Sequence, residues 1–110
     1  MLKYFVVDNA VRLKDRVDLL LKEGFEREQL YVFSRYESRA DDIAEALHIS
    51  QVGMAEQGVM SSIKNLFTSR ESELRTQLMA VGITEQQAKT LDVHLDAGKL
   101  IIVAKSATPL

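Results

Sequence analysis

Cysteine is absent from the 110 residues of this chain, and histidine occurs only twice. Without cysteine the chain has no disulfide framework, no thiolate nucleophile and no cysteine metal cluster. His48 and His94 lie on different predicted helices, so helix-end and surface roles explain them more simply than metal ligation or acid–base chemistry. We therefore predict no catalytic residue, no cofactor-binding residue and no metal site.

Strong net charge and long apolar runs are missing as well. The formal net charge of -2 gives no electrostatic reason to expect nucleic acid or an anionic membrane surface as a partner. No apolar run approaches the length of a membrane span, and the N-terminus lacks the apolar region and cleavage site of a secretory signal. We therefore expect a cytoplasmic protein that binds neither nucleic acid nor a membrane.

What remains is an ordinary globular composition, 46% apolar and 27% charged. A chain of this length suits one α/β domain with its own core, which we place over residues 1–106. Residues 107–110, which include the only proline, are predicted to form a frayed tail.

Three short apolar segments predict the strands of a small sheet: residues 4–7, 30–33 and 100–104. The last segment is apolar at every position, which is typical of a strand covered by other elements. A helix with short connections separates the first two segments, so these strands are predicted to be parallel neighbours. Strand one is expected in the centre, and the direction of strand three is left open.

Apolar residues three and four apart predict five helices, which makes the element order β-α-β-α-α-α-α-β. Their predicted extents are 10–23, from a capping box at Ser34 to about His48, 59–67, from a capping box at Thr68 to Gly82, and from a capping box at Thr84 to Gly98. Residues 49–58 show no period and predict a loop.

Four polar residues follow the first two strands: Asp8, Asn9, Ser34 and Arg35. The carboxyl ends of parallel strands are where ligands tend to bind in α/β sheets, next to helix N-termini. Helix capping by Asn9 and Ser34 and an ion pair between Asp8 and Arg35 explain the same residues more simply. These four are therefore weak candidates for a ligand-binding edge.

Three apolar residues lie off the inner stripes of their predicted helices: Leu19, Met79 and Val93. Such residues could cover the interface of a homodimer or bind a protein partner. They are weak candidates for an interface.

Three stretches of the C-terminal part carry a resemblance to a known family. They read Ser62-Ile-Lys-Asn-Leu-Phe67, Leu78-Met-Ala-Val-Gly-Ile83 and Leu95-Asp-Ala-Gly-Lys-Leu-Ile-Ile-Val103. These stretches resemble the YflT-type family of bacterial general stress proteins, and the N-terminal strand, helix and second strand are similar to the family's usual opening. The resemblance implies a cytoplasmic bacterial protein of the general or heat stress response with no established catalytic activity. It supplies no functional residues.

Two functions remain open from the sequence. The first is a non-catalytic stress domain that acts through self-association or a protein partner. The second is a small-molecule-binding regulatory domain that uses the edge near Asp8 and Arg35. An enzyme would need catalytic groups that the sequence does not show.

Overall fold

Three strands and four α-helices make up residues 2–49 and 70–106, the part of the chain that the structure, a computed structural model, describes. In chain order they are β1 (Leu2–Val7), α1 (Ala10–Lys22), β2 (Leu30–Phe33), α2 (Glu37–Leu47), α3 (Arg70–Ala80), α4 (Glu85–Asp96) and β3 (Leu100–Lys105). A short 3₁₀ turn, Arg27–Gln29, precedes β2.

The strand order is β1-β3-β2, and β3 is antiparallel to both of its neighbours. The prediction that strand one is central is therefore wrong, as is the prediction that strands one and two are neighbours. They do run in the same direction, but β3 separates them. The reason is burial: Leu100 to Ala104 are completely buried, whereas Leu2 and Tyr4 of β1 are more than a third exposed. The most apolar strand takes the position with a neighbour on each side.

Helices cover both faces of the sheet, so the described domain has three layers. α1 and α2 pack on one face, and α3 and α4 pack on the other. The first cluster contains the buried side chains Leu13, Val17, Leu20, Phe25, Leu30, Val32, Ile43, Ala44, Ile49, Leu100, Ile102 and Ala104. The second contains Phe33, Leu74, Leu78, Val81, Ile83, Ala88, Leu91, Leu95, Ile101 and Val103. Alternate residues of β3 enter opposite clusters, which is why this strand has no polar side.

Two predicted helix boundaries are confirmed by their hydrogen bonds. The side chain of Asn9 accepts from the backbone N–H of Arg12 at 3.0 Å and caps α1. Thr84 and Gln87 exchange side-chain-to-backbone hydrogen bonds of 3.1 Å at the start of α4, which is a capping box.

The predicted start of α2 is wrong by two residues, because the N-cap is Tyr36 and not Ser34. The Oγ of Ser34 accepts from the backbone N–H of Tyr36 at 3.2 Å and so closes a short turn after β2. The helix begins at Glu37, after Tyr36. Ser34 therefore belongs to the connection and does not cap the helix.

Several predictions concern residues outside the described ranges. They are the greater part of the 49–58 loop, the 59–67 helix, the capping box at Thr68 and the 107–110 tail. Ile49, the first residue of the predicted loop, is described and is buried in the first cluster. The domain boundaries stay predictions.

Candidate functional site

The carboxyl ends of β1 and β2 do lie at the same end of the sheet, as predicted, but the beginning of β3 lies between them. Val7 pairs with Leu100, and Phe33 pairs with Ile101. The connection from α4 to β3 therefore enters the space between the two candidate strand ends. We call this region the sheet-end cluster: Asp8, Ser34, Arg35, Arg39, Arg70, Glu73, Asp96 and Lys99.

Asp8 forms an ion pair with the connection before β3, and Arg35 forms one with the last residue of α4. The Lys99 Nζ lies 3.5 Å from the Asp8 Oδ1, and the Arg35 Nε lies 3.3 Å from the Asp96 Oδ1. The suggested ion pair between Asp8 and Arg35 is wrong, because Lys99 in the connection before β3 pairs with Asp8, and Asp96 at the end of α4 pairs with Arg35. Both ion pairs are partly solvent-exposed, so each contributes little stability by itself.

Asn9 and Ser34 have local structural roles. The Asn9 side chain caps α1, and Ser34 is buried with its hydroxyl bonded to the turn that follows β2. Of the four residues predicted for a ligand-binding edge, these two use their side chains to accept hydrogen bonds from backbone N–H groups. Their capacity to bind a ligand stays a prediction.

Two arginines that the sequence analysis did not single out complete the sheet-end cluster. The Arg39 Nη1 donates to the Gly98 carbonyl at 3.2 Å and so ties α2 to the connection before β3. The Arg70 Nη2 donates to the Ser34 carbonyl at 3.0 Å, and its Nε donates to the Arg35 carbonyl at 3.3 Å. These bonds join helices from opposite faces of the sheet to the same end of it.

Arg70 also bonds within its own helix. Its Nη1 lies 2.9 Å from the Glu73 Oε1, and the Gln77 Nε2 donates to the same carboxylate oxygen at 3.2 Å. The Arg70 guanidinium therefore bonds both to α3 and to the connection after β2. An arginine at that position, three residues before a glutamate, was the sequence signal for this contact.

The ion pairs and charge-assisted hydrogen bonds of the sheet-end cluster connect α2, α3 and α4 to the chain segments at this end of the sheet. One guanidinium nitrogen, the Arg35 Nη1, is buried and has no hydrogen-bond partner among residues 2–49 and 70–106. Within the same ranges, no group of three or more His, Cys, Asp or Glu residues could hold a metal ion.

The three interface candidates are exposed, with exposed fractions of 48% for Leu19, 45% for Met79 and 67% for Val93. They lie on two surfaces. Leu19 is on α1, whereas Met79 on α3 and Val93 on α4 belong to the layer on the opposite face of the sheet. Whether either surface forms an interface stays a prediction.

No helix in the described part of the chain is long and apolar enough to cross a membrane. Together, the layers and the sheet-end cluster define a small α/β/α domain whose polar residues at one end of the sheet hold its elements together.

Comparison with known proteins identifies the family within this class. The model of the heat induced stress protein YflT domain matches residues 3–98, and the chain belongs to that family. The chain is similar to General stress protein 17M of Bacillus subtilis (strain 168), with 28% identity over 94 residues, 86% of this chain and 82% of the relative. No solved structure matches the chain. The resemblance predicted from the sequence is confirmed.

Proposed function

We propose that this member of the general stress protein family is a non-catalytic cytoplasmic domain that acts through self-association or a protein partner. Family membership supports the link to stress. The relative is a bacterial stress protein by name, and that name specifies no reaction.

The observation that carries the proposal is the set of large apolar side chains left exposed on the described domain. They are Leu2, Tyr4, Val11, Leu19, Tyr36, Met79 and Val93. Exposed apolar side chains of this kind are the residues that a protein interface would cover. Contact with a second protein would remove this apolar area from water, which is favourable by about 25 cal/mol of free energy per Å² buried.

We expect native mass spectrometry of the full chain to show a homodimer or a complex with another protein. One of the two helix surfaces should be responsible, so either Leu19→Glu, or Met79→Glu together with Val93→Glu, should produce a folded monomer. A charge placed in an apolar interface must be desolvated without a partner, which is why it disrupts association.

The control is Ser38→Glu, which adds the same charge at an exposed position on α2 and should leave association unchanged. A strictly monomeric wild-type chain, isolated from heat-stressed cells without any bound protein, would contradict the proposal.

A second candidate is a small-molecule-binding regulatory domain at the sheet-end cluster. The observation that favours it is the buried Arg35 Nη1, which has no hydrogen-bond partner in the described ranges and would gain one from an anionic ligand that entered the sheet-end cluster. This function predicts a discrete extra mass in the native spectrum. The extra mass should disappear in Arg35→Ala and persist in Lys89→Ala, which removes an exposed cation from α4. A spectrum without any retained small molecule would remove this candidate.

A further inference from the structure

Within residues 2–49 and 70–106, β1 is a regular strand at the edge of the sheet. Its register with β3 is unbroken over six residue pairs, from Leu2 with Lys105 to Val7 with Leu100, so it contains no bulge. It also contains no proline. Edge strands present unpaired backbone N–H and C=O groups, and proteins usually protect them with bulges, prolines or charges.

The one charge on β1 is already neutralised. The Lys3 Nζ lies 2.5 Å from the Glu23 Oε1 at the end of α1. Two copies of β1 could therefore approach without bringing two uncompensated lysine charges together. The usual charge-based protection of an edge strand is weakened here by the chain's own helix.

Leu19 lies on the flank of α1 that is above β1. On α1, Arg16 lies three residues before it and Glu23 four residues after it, so all three share one flank of the helix. The Arg16 guanidinium lies 4.2 Å from the centre of the Phe5 ring, and Glu23 reaches Lys3. That flank is therefore the one above β1.

On the opposite face of the sheet, Leu2 and Tyr4 of β1 are 37% and 36% exposed. Beside Tyr4 is a cleft of about 340 Å³, whose other wall is the first half of α4, including Gln87 and Thr90. We call the exposed apolar side chains around β1 the edge patch: Leu2, Tyr4 and Leu19.

We propose that the edge patch binds a second copy of this chain through antiparallel pairing of the two β1 strands about a twofold axis at Tyr4. The product is one continuous sheet in the order β2-β3-β1-β1-β3-β2. The inference rests on the proposed function and deepens it by naming the partner and the surface.

A second copy is favoured because β1 and α1 complement themselves about that axis. In an antiparallel pair centred on Tyr4, Leu2 of one copy lies opposite Val6 of the other, and the Tyr4 side chains are direct neighbours. Leu19 lies between Arg16 and Glu23, so the same axis directs the Arg16 of each copy towards the Glu23 of the other. Charge complementarity of this kind sets the register of association.

The absence of native cysteine allows a direct test by single-cysteine cross-linking. Directly opposed cross-strand Cβ atoms approach the distances that disulfides need. We expect Tyr4→Cys to form a disulfide dimer about tenfold faster or more than Val11→Cys under mild oxidation, because pairing raises the effective concentration of the two thiols. Val11 is the matched control, since it is exposed on the outer side of α1. Equal rates for the two variants would overturn the inference.

Association measured by analytical ultracentrifugation gives an independent readout. We expect Tyr4→Lys and Leu19→Lys each to raise the dimer dissociation constant about tenfold or more, and Val93→Lys to leave it unchanged. Should Tyr4→Lys fail to fold, hydrogen exchange of the wild-type chain replaces it, and β1 amides should become more protected as protein concentration rises. Protection independent of concentration would count against the pairing.

The outcomes separate this inference from the proposed function. A wild-type dimer that survives both edge substitutions and dissociates with Val93→Lys would overturn the β1 pairing and leave self-association standing. A wild-type monomer that binds an extended peptide of another protein along β1 would overturn the second copy as occupant and leave the protein-partner function standing. A monomer with no partner would overturn both.

Discussion

Ile102→Ala should lower the free energy of unfolding by about 2–5 kcal/mol, because it removes buried methyl and methylene groups and leaves a cavity. Ile102 is completely buried in the middle of the central strand. It pairs with Phe5 on one side and Val32 on the other, so neighbouring strands enclose it from both directions. Strand pairing on both sides limits how far the surrounding residues can shift to fill the cavity.

Chemical denaturation of the purified chain measures this effect, with Ile102→Val and Val93→Ala as comparisons. Ile102→Val keeps most of the side chain and should cost about 0.5–1.5 kcal/mol. Val93→Ala changes a residue that is 67% exposed and should alter stability by less than about 0.5 kcal/mol. An Ile102→Ala variant as stable as Val93→Ala would mean that β3 does not occupy the centre of the core.

The second large effect is expected at Arg70, where Arg70→Met should lower the free energy of unfolding by about 3 kcal/mol. Arg70 and Glu73 form an ion pair whose side chains are 16% and 10% exposed. Removing the arginine leaves the Glu73 carboxylate nearly buried, with a hydrogen bond from Gln77 but without its cation. It also removes the donors to the Ser34 and Arg35 carbonyls, which connect α3 to the connection after β2.

Two further variants separate the buried charge from loss of packing. The double variant Arg70→Met with Glu73→Leu leaves no unpaired carboxylate, so it should be more stable than Arg70→Met alone. Lys14→Met breaks an exposed ion pair on α1, with side chains 62% and 50% exposed, and should cost less than about 1 kcal/mol. Arg70→Met with no greater effect than Lys14→Met would show that the sheet-end cluster contributes little to stability.

The helix ends were the most predictable part of the fold. Gly24 and Phe25 illustrate why: the left-handed glycine ends α1, and the Phe25 N–H donates to the Leu20 carbonyl at 3.2 Å while its ring is buried. These contacts join residues a few positions apart, so neighbouring residue types suffice to predict them.

The start of α2 shows the limit of such local patterns. Ser34 and Glu37 have the spacing of a capping box, but Ser34 is buried directly after β2 and its hydroxyl bonds to Tyr36. The end of the strand holds Ser34 in place, and the helix begins only where the chain leaves the sheet. Tertiary contact decided between two local arrangements that the same residues allow.

The residues predicted for a ligand-binding edge do follow β1 and β2 at one end of the sheet, but their neighbours there differ from the predicted ones. Asp8 and Arg35 were expected to lie beside each other, because a helical crossover usually joins adjacent parallel strands. The crossover instead leaves room for β3, and Asp96 and Lys99 then pair with Arg35 and Asp8. Arg39 and Arg70 join the sheet-end cluster over sequence separations of 59 and 36 residues, as their bonds to Gly98 and Ser34 show.

The sequence by itself determined the three strands to within two residues, since β1 begins at Leu2 and not at Tyr4. It also determined the boundaries of α1 and α4, the apolar helix faces and the family, because each depends on residues close together in the chain or on a pattern retained along it. Only the tertiary structure decided the order of the strands. Several strand orders satisfy the same local hydrogen bonds. The fold adopts the order that buries the most apolar strand between two neighbours, because leaving that strand in water would have the largest free-energy cost. Residues 100–104 are all apolar and completely buried, so the last strand of the chain lies in the middle of the described sheet and β1 lies at its edge.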